Sequence, residues 1–187
     1  ILILINLTKK KIKHKLLKGI DIARWRIKQN RYLKNKQKLK WEDAKKFLRP
    51  KVICQVLIAH IENPTPHLKI TACYDNEGII ITNTLTAFRF NKSITDKFWL
   101  GYLNSIFVSW YAYNFIYSRA IRTMHFYNFY IQQIPIPKVI IEKPEEQKSI
   151  TELVDKILAI TKDSDYLENA AKQAKVRDYE KQIDQLV

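Results

Sequence analysis

Basic and aromatic side chains alternate over residues 24–47, and together they could bind a polyanion. The aromatic residues of this segment are Trp25, Tyr32, Trp41 and Phe47. Aromatic residues within a basic segment favour a folded binding surface over a disordered basic tail. The candidate phosphate contacts are Arg24, Arg26, Lys28, Arg31 and Lys34. Such contacts would position the chain on a nucleic acid without reading its sequence, and Trp25 would either pack beneath them or belong to the core.

The positive charge of the chain is concentrated in the same region. Residues 1–51 contain 18 Lys or Arg and 3 Asp or Glu, whereas residues 52–187 contain 15 of each. The formal net charge of +15 therefore comes from the first 51 residues. Localised charge of this kind is expected of a surface that meets a polyanion. The alternative is a solvated basic face in a lysine-rich protein.

Two further polar segments could read the edges of bases. The segment 118–125 carries Arg119, Arg122, Thr123 and His125. Arginine can donate to guanine O6 and N7, the commonest sequence-specific contact in the major groove. The segment 60–69 carries Asn63, His67 and Lys69, and Asn forms a comparable pair with adenine. The alternative for both segments is a solvated loop without a binding role.

The composition argues against several kinds of active site. The three glycines, Gly19, Gly78 and Gly101, lie far apart, which excludes Walker, dinucleotide and S-adenosylmethionine loops. The four histidines lack zinc-site spacing, so we expect no metal. Asp163 and Asp165 are expected to break one helix and cap the next. The cysteines, Cys54 and Cys73, are expected to lie buried in strands.

The coarse pattern predicts an α+β fold with a β-rich body over residues 1–143 and a helical arm over residues 144–187. Strands are expected at 1–7, 52–58 and 85–90, and a hairpin joining 68–74 to 79–83 around Gly78. An apolar, aromatic-rich run over 95–117 has helical spacing, and two helices follow Pro144. Acidic residues outnumber basic ones in these two helices, which therefore fit a spacer or protein-docking hairpin better than a DNA contact. No apolar run reaches the roughly 20 residues that a membrane span requires.

Five motifs occur in the order found in one known family. Residues 17–25 (LKGIDIARW) resemble the opening segment of the TaqI-like C-terminal specificity domain, "RGKDIKRY". Residues 49–53 (RPKVI) resemble its "KPKI" strand, and residues 100–105 (LGYLNS) its "LLALLNS" helix. Residues 124–137, ending in QQIPIP, resemble its "EQLPIP" segment, and residues 145–158 resemble its "EEQKKIVELVDKIL" helix. Isoleucine replaces the family's lysine at position 20, so no phosphate contact is assigned there.

The resemblance implies a role in prokaryotic, cytoplasmic restriction-modification. Such domains follow an adenine-N6 methyltransferase core or form half of a type I specificity subunit, and they read duplex DNA while the core flips and methylates the base. The expected partners are double-stranded DNA and a methyltransferase core or modification subunit, fused or separate. S-adenosylmethionine would belong to that parent enzyme, because no Asn-Pro-Pro-Tyr motif occurs here. The opening without methionine is likewise expected of a piece of a longer protein.

Three alternatives to this interpretation stay open. A catalytic nuclease or methyltransferase domain would need the glycine loops or acidic clusters that the sequence lacks. An RNA-binding module of a nucleic-acid-modifying enzyme is compatible with the basic-aromatic segment. A structural subunit could dock through its helices alone. Comparing binding to duplex DNA and to RNA distinguishes these alternatives.

Overall fold

The computed structural model describes residues 15–32, 44–88, 93–120 and 123–187. The strand expected at residues 1–7 and the side chains of Lys34 and Arg122 lie outside these ranges. The strands are β1 Lys15–Leu17, β2 Ile22–Ala23, β3 Arg26–Ile27, β4 Arg31–Tyr32, β5 Lys51–Gln55, β6 Leu57–Ile61, β7 His67–Lys69, β8 Ala72–Asp75, β9 Ile80–Ile81, β10 Leu85–Phe88 and β11 Met124–His125. The helices are α1 Asp96–Leu103, α2 Ile106–Tyr111, a π-helix Ala112–Ile116, α3 Asn128–Ile131, α4 Lys138–Glu142, α5 Gln147–Thr161 and α6 Ala170–Leu186. The predicted α+β class is confirmed.

Strands β5 and β6 form an almost continuous ribbon that takes part in two sheets. β5 is the centre of the antiparallel sheet β10-β5-β8, and β6 is the centre of the antiparallel sheet β11-β6-β7. Between them, the Val56 N–H donates to the carbonyl of Thr84 at 3.0 Å, and the Val56 carbonyl accepts from Phe126 at 2.7 Å. The β-branched run predicted as one strand at 52–58 therefore becomes two strands with a break at Val56. The strand predicted at 85–90 is β10, whose described part ends at Phe88.

The hairpin predicted around Gly78 is wrong. The turn exists, and Gly78 has the left-handed φ of 71° that favours glycine. However, β8 pairs with β5, whereas β9 pairs in parallel with β1 in the sheet β4-β1-β9. The two strands diverge because the backbone N–H groups of the turn donate to the buried carboxylate of Asp75. These groups are therefore not available for hydrogen bonds between β8 and β9.

The C-terminal helices α5 and α6 form a hairpin whose apolar side joins the main core. Of the apolar stripe on α5, Ile150, Leu153, Val154 and Ile157 are buried in the core, and Leu158 is partly buried and packs against it. From α6, Val176 and Ile183 are buried, whereas Leu167, before the helix, and Leu186 remain 51% exposed. Helix α1 packs directly on α5, and the close approach occurs at Gly101.

We predict that Gly101→Ala lowers the free energy of unfolding by about 1–2 kcal/mol, because overpacking of a core costs up to about 3 kcal/mol. An added Cβ would lie 2.8 Å from Cγ2 of Ile150 and 3.0 Å from Cγ2 of Val154. Alanine's better helix propensity, about 1 kcal/mol, offsets only part of that clash. Urea denaturation measures the change, and the exposed Gln182→Ala on α6 is the control. If the alanine variant were as stable as the parent, α1 and α5 would be able to move apart without a loss of stability.

The two cysteines lie where the sequence analysis placed them. Cys54 is in β5 and Cys73 is in β8, and both are buried free thiols. Burial raises the pKa of Cys54 to about 12 and raises the pKa of Cys73 as well. Both thiols are therefore protonated at neutral pH and act as small apolar core residues.

Candidate nucleic-acid interface

One face of the sheet β11-β6-β7 is open to solvent and carries three of the sequence-predicted site residues. Directly paired residues of antiparallel strands project to the same face. The register pairs Ala59 with Lys69, Ile61 with His67 and Leu57 with His125. Leu57 is 52% exposed, and Lys69 and His125 are also exposed. Lys69, His67 and His125 therefore share one accessible face.

The opposite face of this sheet is part of the core. Ile58, Leu68 and Met124 are buried there, and His60 packs against Tyr113 of the π-helix with ring centroids 5.5 Å apart. This alternation of apolar and polar residues is what a half-buried sheet requires. The core face fixes the register, and the register in turn sets which polar side chains meet on the outer face.

The two segments expected to read bases both join this sheet from the end at which β6 finishes. β6 runs into the loop 62–66, which carries Asn63. Because β11 is antiparallel to β6, the chain enters β11 from that same end. Thr123 is exposed immediately before β11. The polar segments 60–69 and 118–125 are therefore not loops throughout, because His67 and Lys69 lie in β7 and His125 lies in β11.

A cleft of about 550 Å³ lies between the loop 62–66 and helix α2. The site residues that line it are Asn63, His67, Lys69 and Arg24, and Trp110 of α2 lines it as well. Trp110 is 49% exposed, although the sequence analysis did not single it out. Nδ1 of His67 hydrogen-bonds with the carbonyl of Thr65 at 2.7 Å, which orients the ring within the loop.

The three arginines near the start of the chain have partners inside the protein. Arg24 forms an ion pair with Glu180 of α6 at 3.0 Å and donates to the carbonyl of Asn104. Arg26 donates to the carbonyl of Asp163 at 3.2 Å, at the turn between α5 and α6. These two side chains attach the N-terminal segment to the helical hairpin, in addition to any contact they make with a ligand.

Arg31 pairs with a carboxylate that is fully buried. Its Nε lies 2.8 Å from both carboxylate oxygens of Asp21. Burial by itself would raise the pKa of Asp21, but hydrogen bonds from Arg31, the Lys18 amide and Gln29 hold the pKa below its usual value. The sequence analysis missed Asp21, since nothing in its neighbours indicates burial of a charge.

Lys28 lies away from the open sheet face. It is exposed and lines a separate cleft beside α5, together with Lys97, Lys162, Asp155 and Glu77. Lys97 is already paired there with Asp155 at 2.6 Å. The structure thus separates Arg24 and Lys69, which line one cleft, from Arg26 and Lys28, which line another.

The turn that carries Arg119 has an unusual backbone. It follows the π-helix, and both Ser118 and Arg119 adopt left-handed φ angles, of 49° and 59°. The Arg119 side chain is exposed, and its Nε donates to Oδ1 of Asn114 at 2.9 Å. The sequence analysis identified Arg119 but missed Asn114. The available signal was that Asn114 is the sole amide side chain in the apolar run 106–117.

The family model of the TaqI-like C-terminal specificity domain matches residues 14–136, about two thirds of the chain. The chain belongs to this family. The resemblance found in the sequence motifs is thereby confirmed. No curated protein matches the chain.

As a TaqI-like specificity domain, the chain is assigned to target specificity in restriction-modification. The matched region contains every described strand and the helices up to α3, so the open sheet face and both loops fall within it. Within the described ranges, no group of three His, Cys, Asp or Glu side chains could hold a metal ion. None of the described helices has the length and apolarity needed to cross a membrane.

Proposed function

We propose that this TaqI-like specificity domain recognises a specific duplex DNA sequence on behalf of an adenine-N6 methyltransferase. The observation that carries the proposal is the convergence of Lys69, His67 and His125 on one open sheet face, with Asn63, Arg119 and Thr123 at its end. Lysine contacts phosphates, whereas arginine, histidine and the polar loop residues can contact base edges. Positioning and readout groups therefore lie side by side.

The shape of this surface suits the major groove. Neighbouring strands are about 4.8 Å apart, and the groove of B-DNA is about 12 Å wide. The β6–β7 hairpin with its loop 62–66 is narrow enough to enter such a groove, as β-ribbon readers do. Thr123 and His125 of the neighbouring strand β11 would then face the same duplex beside the hairpin.

The chain would contribute recognition but no catalytic residue. Methyl transfer from S-adenosylmethionine would take place in a prokaryotic, cytoplasmic parent enzyme, on a core or subunit that binds this domain. The helical hairpin of α5 and α6 is our candidate for that docking, because its net charge does not favour DNA. Leu167 and Leu186 are the large apolar side chains it exposes.

The decisive test compares Lys69→Ala with Lys181→Ala, which removes the same charge from a 77% exposed lysine on α6. We expect Lys69→Ala to weaken binding to all duplexes about fivefold at 0.15 M salt and to lower the salt slope by about one. The control should leave both unchanged. Fluorescence anisotropy against duplex DNA over 50–200 mM salt, with hairpin RNA as competitor, gives the readout.

Two results would contradict the proposal. Equal losses from Lys69→Ala and Lys181→Ala would place the phosphate contact away from the open sheet face. Preference for the RNA competitor over duplex DNA would favour an RNA-binding module instead, which the basic-aromatic segment also permits.

A further inference from the structure

Arg119 is held on its turn by a backbone that few non-glycine residues adopt. Ser118 and Arg119 are consecutive left-handed residues, separated from the π-helix by Tyr117 alone. The Arg119 N–H donates to the carbonyl of Tyr113 at 2.9 Å, which closes the turn. Left-handed residues and π-helices persist where the surroundings enforce them, and they concentrate at functional sites. The turn therefore presents Arg119 in one defined direction.

The guanidinium of Arg119 uses one of its donor edges within the protein and has a second edge available. Nε donates to Oδ1 of Asn114, at 2.9 Å. Within the described ranges, Arg119 forms no ion pair, in contrast to Arg24 and Arg31. A guanidinium presents two edges with paired donors, one of which includes Nε. Asn114 occupies that edge, and the edge formed by Nη1 and Nη2 is left for a ligand.

Asn114 is itself fixed by a second hydrogen bond. Its Nδ2 donates to the carbonyl of Trp110, one turn earlier, at 2.9 Å. That bond directs Oδ1 towards Arg119 and leaves the amide no freedom to flip without losing both contacts. Trp110 also lines the cleft that contains Lys69 and His67. The two hydrogen bonds thus fix the guanidinium relative to α2 and the π-helix.

We propose that Asn114 is a positioning residue that makes Arg119 a reader of guanine. O6 and N7 of guanine accept two parallel hydrogen bonds from an arginine in the major groove, and the Nη1–Nη2 edge supplies both donors. A guanidinium fixed before binding loses less conformational freedom when it binds. The inference rests on the proposed function and specifies one base of the target. The target sequence contains a guanine whose recognition requires both Arg119 and Asn114.

The test begins by selecting bound sequences from a random duplex pool with the full 187-residue chain. Dissociation constants are then measured for the selected duplex, for duplexes with the guanine replaced, and for one carrying 7-deazaguanine, which lacks the N7 acceptor. We expect the parent chain to prefer guanine by about tenfold or more and Arg119→Ala to lose that preference. Asn114→Ala should reduce the preference severalfold and leave affinity for non-specific duplex DNA unchanged.

Two further variants separate positioning from a structural effect. Asn114→Asp keeps an acceptor for Nε but loses the donor to the Trp110 carbonyl, so we expect it to retain part of the guanine preference. Gln133→Ala removes a similar amide bond, to the carbonyl of Phe129 at 3.2 Å, and should change nothing. If Asn114→Ala does not fold, Asn114→Asp and Arg119→Lys decide the question, because lysine keeps the charge but cannot donate from a planar edge.

The outcomes distinguish this inference from the function on which it rests. The positioning role is overturned if Asn114→Ala keeps the full guanine preference. It is also overturned if Asn114→Asp and Gln133→Ala both lose that preference. Either result leaves DNA recognition intact. A preference that survives Arg119→Ala overturns the guanine assignment. A parent chain that selects no sequence from the pool overturns the proposed function and this inference together.

Discussion

The free energy of unfolding falls by about 3–5 kcal/mol when Lys51 is replaced by methionine, since the change leaves a buried charge unpaired. The Lys51 side chain is 2% exposed, and that of its ion-pair partner, Asp75, is fully buried. Nζ of Lys51 also donates to the carbonyls of Phe47 at 2.8 Å and Ile79 at 2.9 Å. Methionine fills a similar volume but satisfies none of these acceptors.

Urea denaturation followed by circular dichroism measures this loss. Lys175→Met, at an exposed position of α6, is the matched control and should change stability by less than about 0.5 kcal/mol. Adding Asp75→Asn to Lys51→Met should recover part of the loss, because the amide keeps an acceptor for the turn and removes the unpaired charge. A Lys51→Met variant with the parent's urea midpoint would contradict the assignment of this pair to the core.

Trp25→Ala is expected to lower the free energy of unfolding by a similar amount, about 3–5 kcal/mol. The Trp25 side chain is 3% exposed and belongs to the main core. Its indole N–H donates to Oε1 of Glu180 at 2.6 Å, and its backbone N–H donates to the carbonyl of Ala72 at 2.9 Å. The residue thus connects the N-terminal segment with the central sheet and with α6.

The comparison with Trp25→Phe separates packing from the hydrogen bond. Trp25 has a left-handed φ of 71°, a strain that alanine and phenylalanine share. Phenylalanine keeps most of the buried ring, so it should lose less than half as much stability as alanine. Differential scanning calorimetry of both variants gives the ranking. Equal losses would mean that the bond to Glu180, rather than the ring, stabilises this contact.

Much of the fold follows from local patterns in the sequence. The apolar stripe on α5 repeats at helical spacing, and Asp163 and Asp165 interrupt it where the hairpin turns, so both helices could be predicted. The β-branched residues from Val52 onward predicted a strand, because such residues favour strands. These features depend on neighbours a few positions apart, which a sequence presents directly.

Long-range pairing could not be predicted in this way. The parallel contact of Leu16 with Ile80 joins two short strands far apart in the sequence, and neither strand carries a periodic signal. The error at the Gly78 hairpin has the same origin. The turn itself was predicted correctly, but the strands with which β8 and β9 pair were not. Buried charges such as Asp21 were also missed, since their burial depends on the arginine that folds over them.

The candidate site was predicted in its residue types but not in its arrangement. His67, Lys69 and His125 were identified as polar residues in two separate segments. Their common face depends on the register of β6 with both neighbours, and one residue of slippage would send each side chain inward. Asn114 was missed because its role is visible only from the two hydrogen bonds that it makes.

The bond between Trp25 and Glu180 joins residues 155 positions apart, and this has a consequence for synthesis. At the usual 5–20 residues per second, a ribosome needs roughly 10–30 s to make the intervening chain. Throughout that interval the indole and the neighbouring Arg24 lack their acidic partner. Until α6 is made, the core around Trp25 also lacks Val176 and Ile183, so this part of the domain completes its packing only at the end of synthesis.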